Sequence, residues 1–139
     1  MRRDIRDLQS RELRGDGDTD EATVVGLEDE TSGDVFSALT SETARSLLAE
    51  LHRRPATQSE LAERVDTSLQ NANYHLKRLT EADLVAVVDE LYSQKGVEMS
   101  VYGPVHESLV LVASAADDLD AVRQAVNNHM ADTAAAAGD

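Results

Sequence analysis

Between Thr67 and Thr80 the chain reads TSLQNANYHLKRLT, with three amide side chains, a tyrosine, a histidine, a lysine, an arginine and no acid over fourteen positions. The whole chain of 139 residues holds 27 Asp and Glu against 13 Lys and Arg, a net charge of −14. The work these side chains can do together is electrostatic and geometric. They donate and accept hydrogen bonds and neutralise anions. Gln70, Asn71 and Asn73 can bond adenine edges through two hydrogen bonds at once. Lys77 and Arg78 can meet phosphates. A carboxylate among them would repel a polyphosphate, so its exclusion from this stretch points to a polyanionic partner.

A helix must hold these residues, and the spacing predicts one. Ala72, Leu76 and Leu79 recur at intervals of four and three, with Leu69 at the start, and these four are expected to face the core. Thr67 with Gln70 fits the T-x-x-[EQ] capping pattern and places the helix start at Thr67. Just upstream, Thr57 with Glu60 forms a second such pattern, opening a helix that buries Leu61, Ala62 and Val65. Only about three residues around Asp66 separate the two helices, the spacing of a helix-turn-helix.

The period then changes from helical to alternating. LVAVVDELY and VEMSVYG flank the polar tip SQKG at 93–96 and read as a β-hairpin, closed by Gly103–Pro104. LVLVA at 109–113 reads as a further strand or as the start of a buried helix. Before the motif, Val35, Phe36 and Leu39, then Ala44, Leu47, Leu48 and Leu51, mark two helices broken near Thr40–Ser41, and Pro55 ends the run. After the hairpin, Asp117, Asp118 and Asp120 open a last helix whose stripe is Leu119, Val122, Val126 and Met130 or His129, with Met130 in the expected interface. The stripe is expected to form a dimer interface, because a complete domain leaves little core for it to join. The tail ADTAAAAGD is expected to fray. Residues 1–32 hold ten acids and five arginines, with too little apolar surface to anchor a fold, and read as a mobile arm. The expected organisation is therefore an arm at 1–32, a domain at 33–114, and a dimerisation helix with its tail at 115–139.

A helix-turn-helix followed by a polar-tipped hairpin is the winged-helix arrangement, giving an α+β class that is mostly helical. Its second helix enters the DNA major groove and its wing touches backbone or minor groove. The expected DNA contacts on that helix are Gln70, Asn71, Asn73, Tyr74, His75, Lys77 and Arg78, with Ser68 near its start. Thr57 and Gln58 join them from the first helix, and Ser93, Gln94 and Lys95 from the wing tip. Both lysines of the protein, Lys77 and Lys95, fall in this set. His75 is open to two readings, a phosphate contact or a partly buried structural histidine. Arg53 and Arg54 suit the end of a helix as well as they suit a phosphate.

SELAERVDTSLQNANYHLKRLTEADLV resembles the ArsR-like winged helix-turn-helix transcription regulators. The resemblance rests on Glu60, Leu61, Ala62, Ser68, His75, Leu76, Leu79, Ala82, Leu84 and Val85. A wing of the form YSxKGxExxxY, here Tyr92, Ser93, Lys95, Gly96, Glu98 and Tyr102, is similar to those of the halophilic archaeal branch. The likeness spans roughly residues 35–113. It implies a homodimer that binds double-stranded DNA at a pseudo-palindromic operator and usually represses. The chain departs from the pattern at Asp83, where the family has glycine. Metal-sensing members use cysteines beside the motif or a carboxylate–histidine set on the last helix. This chain has no cysteine, and its last helix offers only His129 and Asp132.

Other function classes find little to work with. No cysteine is present, no Gly-rich phosphate loop, no G-x-S-x-G and no HExxH, so neither catalysis nor a cofactor or metal is expected. The longest apolar runs are five residues, too short for a membrane, and the charged N-terminus is not a secretory signal. A soluble cytoplasmic protein is expected. Fifteen Asp, twelve Glu and only two Lys suit a halophile, where cations at high salt would bridge protein carboxylates and DNA phosphates. The competing reading is a winged-helix docking module for another protein, with no direct DNA contact.

Overall fold

The computed structural model describes residues 22–137. Five helices and five strands follow in the order β1 (Ala22–Gly26), α1 (Ser32–Ala38), α2 (Glu42–Arg53), β2 (Ala56–Thr57), α3 (Gln58–Arg64), α4 (Leu69–Glu81), β3 (Val85–Tyr92), β4 (Glu98–Pro104), β5 (Ser108–Val112) and α5 (Leu119–Ala137). A single 3₁₀ turn at Ala116–Asp118 leads into α5.

The helix boundaries follow side-chain chemistry. Ser41 caps α2, its hydroxyl accepting from the Ala44 N–H, and the extended backbone of Arg54 ahead of Pro55 ends it. The Thr57 capping box is complete. Its hydroxyl accepts from the Glu60 N–H, and the Glu60 carboxylate accepts from the Thr57 N–H at 2.8 Å. For α4 the cap is Ser68, one residue later than the pattern predicts. Its hydroxyl accepts from the Asn71 N–H at 3.0 Å. Thr67 instead accepts from the Asn71 side-chain amide at 2.9 Å. The turn between α3 and α4 is made by Asp66 at φ 58°, and Asp83 after α4 takes φ 60°. Asp83 thus adopts the left-handed conformation that explains glycine at this place in the family pattern; aspartate is among the residues that tolerate it.

Leucines from α2, α3 and α4 form the centre of the core: Leu47, Leu51, Leu61, Leu76 and Leu79 are all but fully buried, with Val85 and Val101 from the wing strands. The wing is antiparallel β3–β4, and the two residues of β2 add to its far edge in the order β2-β4-β3. Its register shifts between Val87 and Asp89, a bulge. At the tip Gly96 takes φ 79°, which a glycine adopts freely. Three helices and this hairpin make the winged helix-turn-helix that the sequence implies.

The ends depart from expectation. Residues 22–26, expected within the mobile arm, form β1 and pair in parallel with β5, Ala22 beside Ser108 through Gly26 beside Val112. Val25 joins the main core from one face of that pair. The rest of the expected arm, residues 1–21, lies outside the described residues. α5 lies against β1. Leu119 packs so close to Gly26 that a Cβ there would sit 2.8 Å from its Cδ2. Asn127 Oδ1 accepts from the Ala22 N–H at 3.1 Å, and Arg123 donates to the Val24 carbonyl at 3.0 Å. The helix runs on to Ala137, through most of the tail expected to fray. Leu119 is therefore buried within its own chain and is unavailable to a partner, a correction to the expected dimer stripe. The physical reason is β1, which supplies an apolar surface for α5 to join.

Candidate nucleic-acid interface

One turn of α4 after another turns the same side inward. Ala72, His75, Leu76 and Leu79 are buried. Gln70, Asn73, Tyr74 and Lys77 are exposed on the opposite side. No acid stands among them before Glu81 in the last turn. Leu69, expected in the core, is instead 54% exposed. It is the first residue of α4 after the Ser68 cap, ahead of the inward-facing row that begins at Ala72. Sequence reasoning missed it because an apolar residue at helical spacing reads as core; its distance from the cap was the available signal.

The remaining residues on the helix do other work. Asn71 is half-buried, and its side-chain amide is engaged with Thr67. Arg78 is half-buried and hydrogen-bonds Ser37 of α1. Its guanidinium also lies 5.7 Å from the Tyr74 ring centroid, a cation–π contact. The Arg78 charge thus braces α4 against α1, and its access to a phosphate is reduced.

His75 is buried, which contradicts the expected DNA contact and favours the structural alternative. Its Nε2 lies 3.4 Å from Ser41 Oγ, and its Nδ1 is buried with no hydrogen-bond partner among the described residues. Burial lowers its pKa below the usual 6.5, and the Arg78 charge lowers it further. A neutral ring is what such a site accepts.

Thr57 is also buried, another correction. Its capping box with Glu60 and its pairing with Val101 in the wing sheet turn it inward. Gln58 is half-buried and donates to the Leu69 carbonyl at 3.0 Å, tying the start of α3 to the start of α4. The wing tip is organised by Ser93, whose hydroxyl accepts from the N–H groups of Lys95 and Val97 at 3.2 and 3.1 Å. Gln94 and Lys95 are left exposed.

The described surface thus offers Ser68, Gln70, Asn73, Tyr74 and Lys77 along α4, and Gln94 and Lys95 on the wing. Such a set can meet base edges with amides and phosphates with amines. On α5, Val122, Val126 and Met130 are half-buried. No helix among the described residues is long and apolar enough to cross a membrane.

Residues 27–88 match the family described as a helix-turn-helix domain. No curated protein matches the chain. Among solved structures, the chain is similar to an ArsR-like transcriptional regulator from Rhodococcus sp. RHA1, with 25% identity over 78% of this chain and 79% of that one, TM-score 0.44. It is similar also to a crystallised ArsR family transcriptional regulator, with 27% identity over 54% of this chain and 71% of that one, TM-score 0.43. A third is the homodimeric winged helix-turn-helix DNA-binding domain of a possible ArsR-family regulator from Mycobacterium bovis, with 17% identity over 73% of this chain and 82% of that one, TM-score 0.46.

Proposed function

We propose that the protein is a sequence-specific, ArsR-like DNA-binding transcription regulator that works as a homodimer in the cytoplasm of a halophile and represses by occupying its operator. The observation that carries this reading is the exposed side of α4, where Gln70, Asn73, Tyr74 and Lys77 stand free of carboxylates on a chain of net charge −14. Amides supply base readout and Lys77 supplies phosphate contact. Lys95 at the wing tip supplies a second phosphate contact away from the helix.

The half-buried Val122, Val126 and Met130 of α5 are the proposed dimer contact, now without Leu119. A two-fold dimer presents two copies of α4 to successive major grooves about 34 Å apart, so the operator is a pseudo-palindrome. Repression follows from excluding the transcription machinery from the same DNA. Cations bridge the surrounding carboxylates to DNA phosphates at the high ionic strength such a cytoplasm holds.

Selection of binding sites from a random-sequence duplex library at high KCl tests the reading. The expected outcome is an enriched pseudo-palindrome, with Lys77→Glu losing affinity at least tenfold while its thermal stability stays unchanged. A library that yields no enriched sequence sinks the reading in favour of a protein-docking module.

A further inference from the structure

We propose that Leu69 is a base-reading residue that packs on the C5-methyl group of a thymine, beside the base pair that Asn73 meets. The proposal rests on the DNA-binding reading above and adds to it a specific chemical preference.

Three observations converge on Leu69. It is 54% exposed, whereas Leu76 and Leu79 of the same helix are 1% and 0% exposed. It is the first residue of α4, at the end of a recognition helix that reaches base edges. Its backbone is held in place, because Gln58 donates to its carbonyl at 3.0 Å and Ser68 caps the turn it begins. Singly exposed apolar residues are ordinary on protein surfaces. This one stands at the tip of a helix side that otherwise carries amides, a phenol and an amine.

The geometry then selects the partner. Leu69 and Asn73 are four residues apart, so their Cβ atoms lie about 5–6 Å from one another on one row of the helix. Stacked bases rise about 3.4 Å per step, so the two side chains meet base pairs one or two steps apart. In the major groove the thymine methyl is the apolar feature on the base edges. A leucine set against a hydrogen-bonding edge would bury donors or acceptors without a partner, which is unfavourable. Asn71, with its amide engaged by Thr67, does not compete for the same place. Leu69 with Asn73 therefore favours a thymine close to an adenine on the strand that is read.

The experiment uses the full chain and the site it selects from the random library. Each thymine of one half-site is replaced in turn by deoxyuridine, which lacks only the C5-methyl, and affinity is measured at fixed KCl for the wild type and for Leu69→Ala. At one thymine near the adenine read by Asn73, the wild type is expected to lose affinity about fourfold, the effect of unburying one methyl. Leu69→Ala is expected to bind the thymine and deoxyuridine sites equally there. The inference is overturned if no thymine is methyl-sensitive in the wild type, a result that needs no variant to fold. It is equally overturned if Leu69→Ala, shown folded by its melting temperature, keeps the wild-type sensitivity. A library that selects no site overturns the DNA-binding reading itself, which is a separate outcome.

Discussion

At the residue scale, the helix that carries the proposed site divides its polar groups between two tasks. Asn73 and Lys77 face outward, whereas Asn71 is engaged at the start of the helix and Arg78 and His75 reach Ser37 and Ser41 of neighbouring segments. The amide and guanidinium types alone do not separate these tasks; only the direction of each Cα–Cβ bond around the helix does. His75 makes the division testable. Its pKa is lowered by burial and by Arg78, so the unfolded chain binds a proton more readily than the folded one. Stability contributed by this ring is therefore fully present above the unfolded value of 6.5 and declines as pH falls below it toward the folded value. Denaturant titrations from pH 8 to pH 5.5 are expected to show that decline, and His75→Gln to flatten it.

At the scale of elements, the capping residues set where each helix begins, and most of them were legible. Thr57 with Glu60 predicts α3, and the structure has that box complete. The start of α4 shifts by one residue, to Ser68, because both Thr67 and Ser68 are capping types and the Thr67 hydroxyl is taken by the Asn71 amide. β1 was not legible at all. ATVVG is five residues long and sits in an acid-rich segment, and its partner strand lies beyond the whole wing. Local pattern cannot report a parallel pairing of that reach. Gly26 is the point on which α5 and β1 meet, since Leu119 occupies the space a side chain would need. Gly26→Val is expected to cost about 1–3 kcal/mol by overpacking. Thermal unfolding followed by circular dichroism measures it; a variant as stable as the wild type would show that the Leu119 side chain yields the space.

For the whole molecule, the proposed function turns on charge and symmetry. A protein that makes six to ten phosphate contacts ordinarily loses about 10³–10⁵ in affinity between 50 and 200 mM salt. With a net charge of −14, the proposed bridging gathers cations at the DNA interface as well as releasing them from it. Binding is therefore expected to fall less steeply than that range with added KCl, as read from the slope of log affinity against log salt. A slope as steep as that of an ordinary basic DNA-binding protein would refute cation bridging. Symmetry is tested on α5. Val126→Glu places a charge on the half-buried stripe and is expected to convert a dimer to a monomer in sedimentation equilibrium, with operator affinity falling at least tenfold.

The sequence by itself determined the helix-turn-helix, the wing and the carboxylate-free side of α4. Each is written in short-range features: caps, apolar periods of three and four, alternation, and the local absence of acids. Only the tertiary structure decided which polar groups are spent internally, that Leu69 faces outward, and that β1 pairs with β5 and receives α5. Those outcomes depend on contacts between segments far apart in the chain, and a side chain's burial is fixed by what arrives against it, which no local window contains.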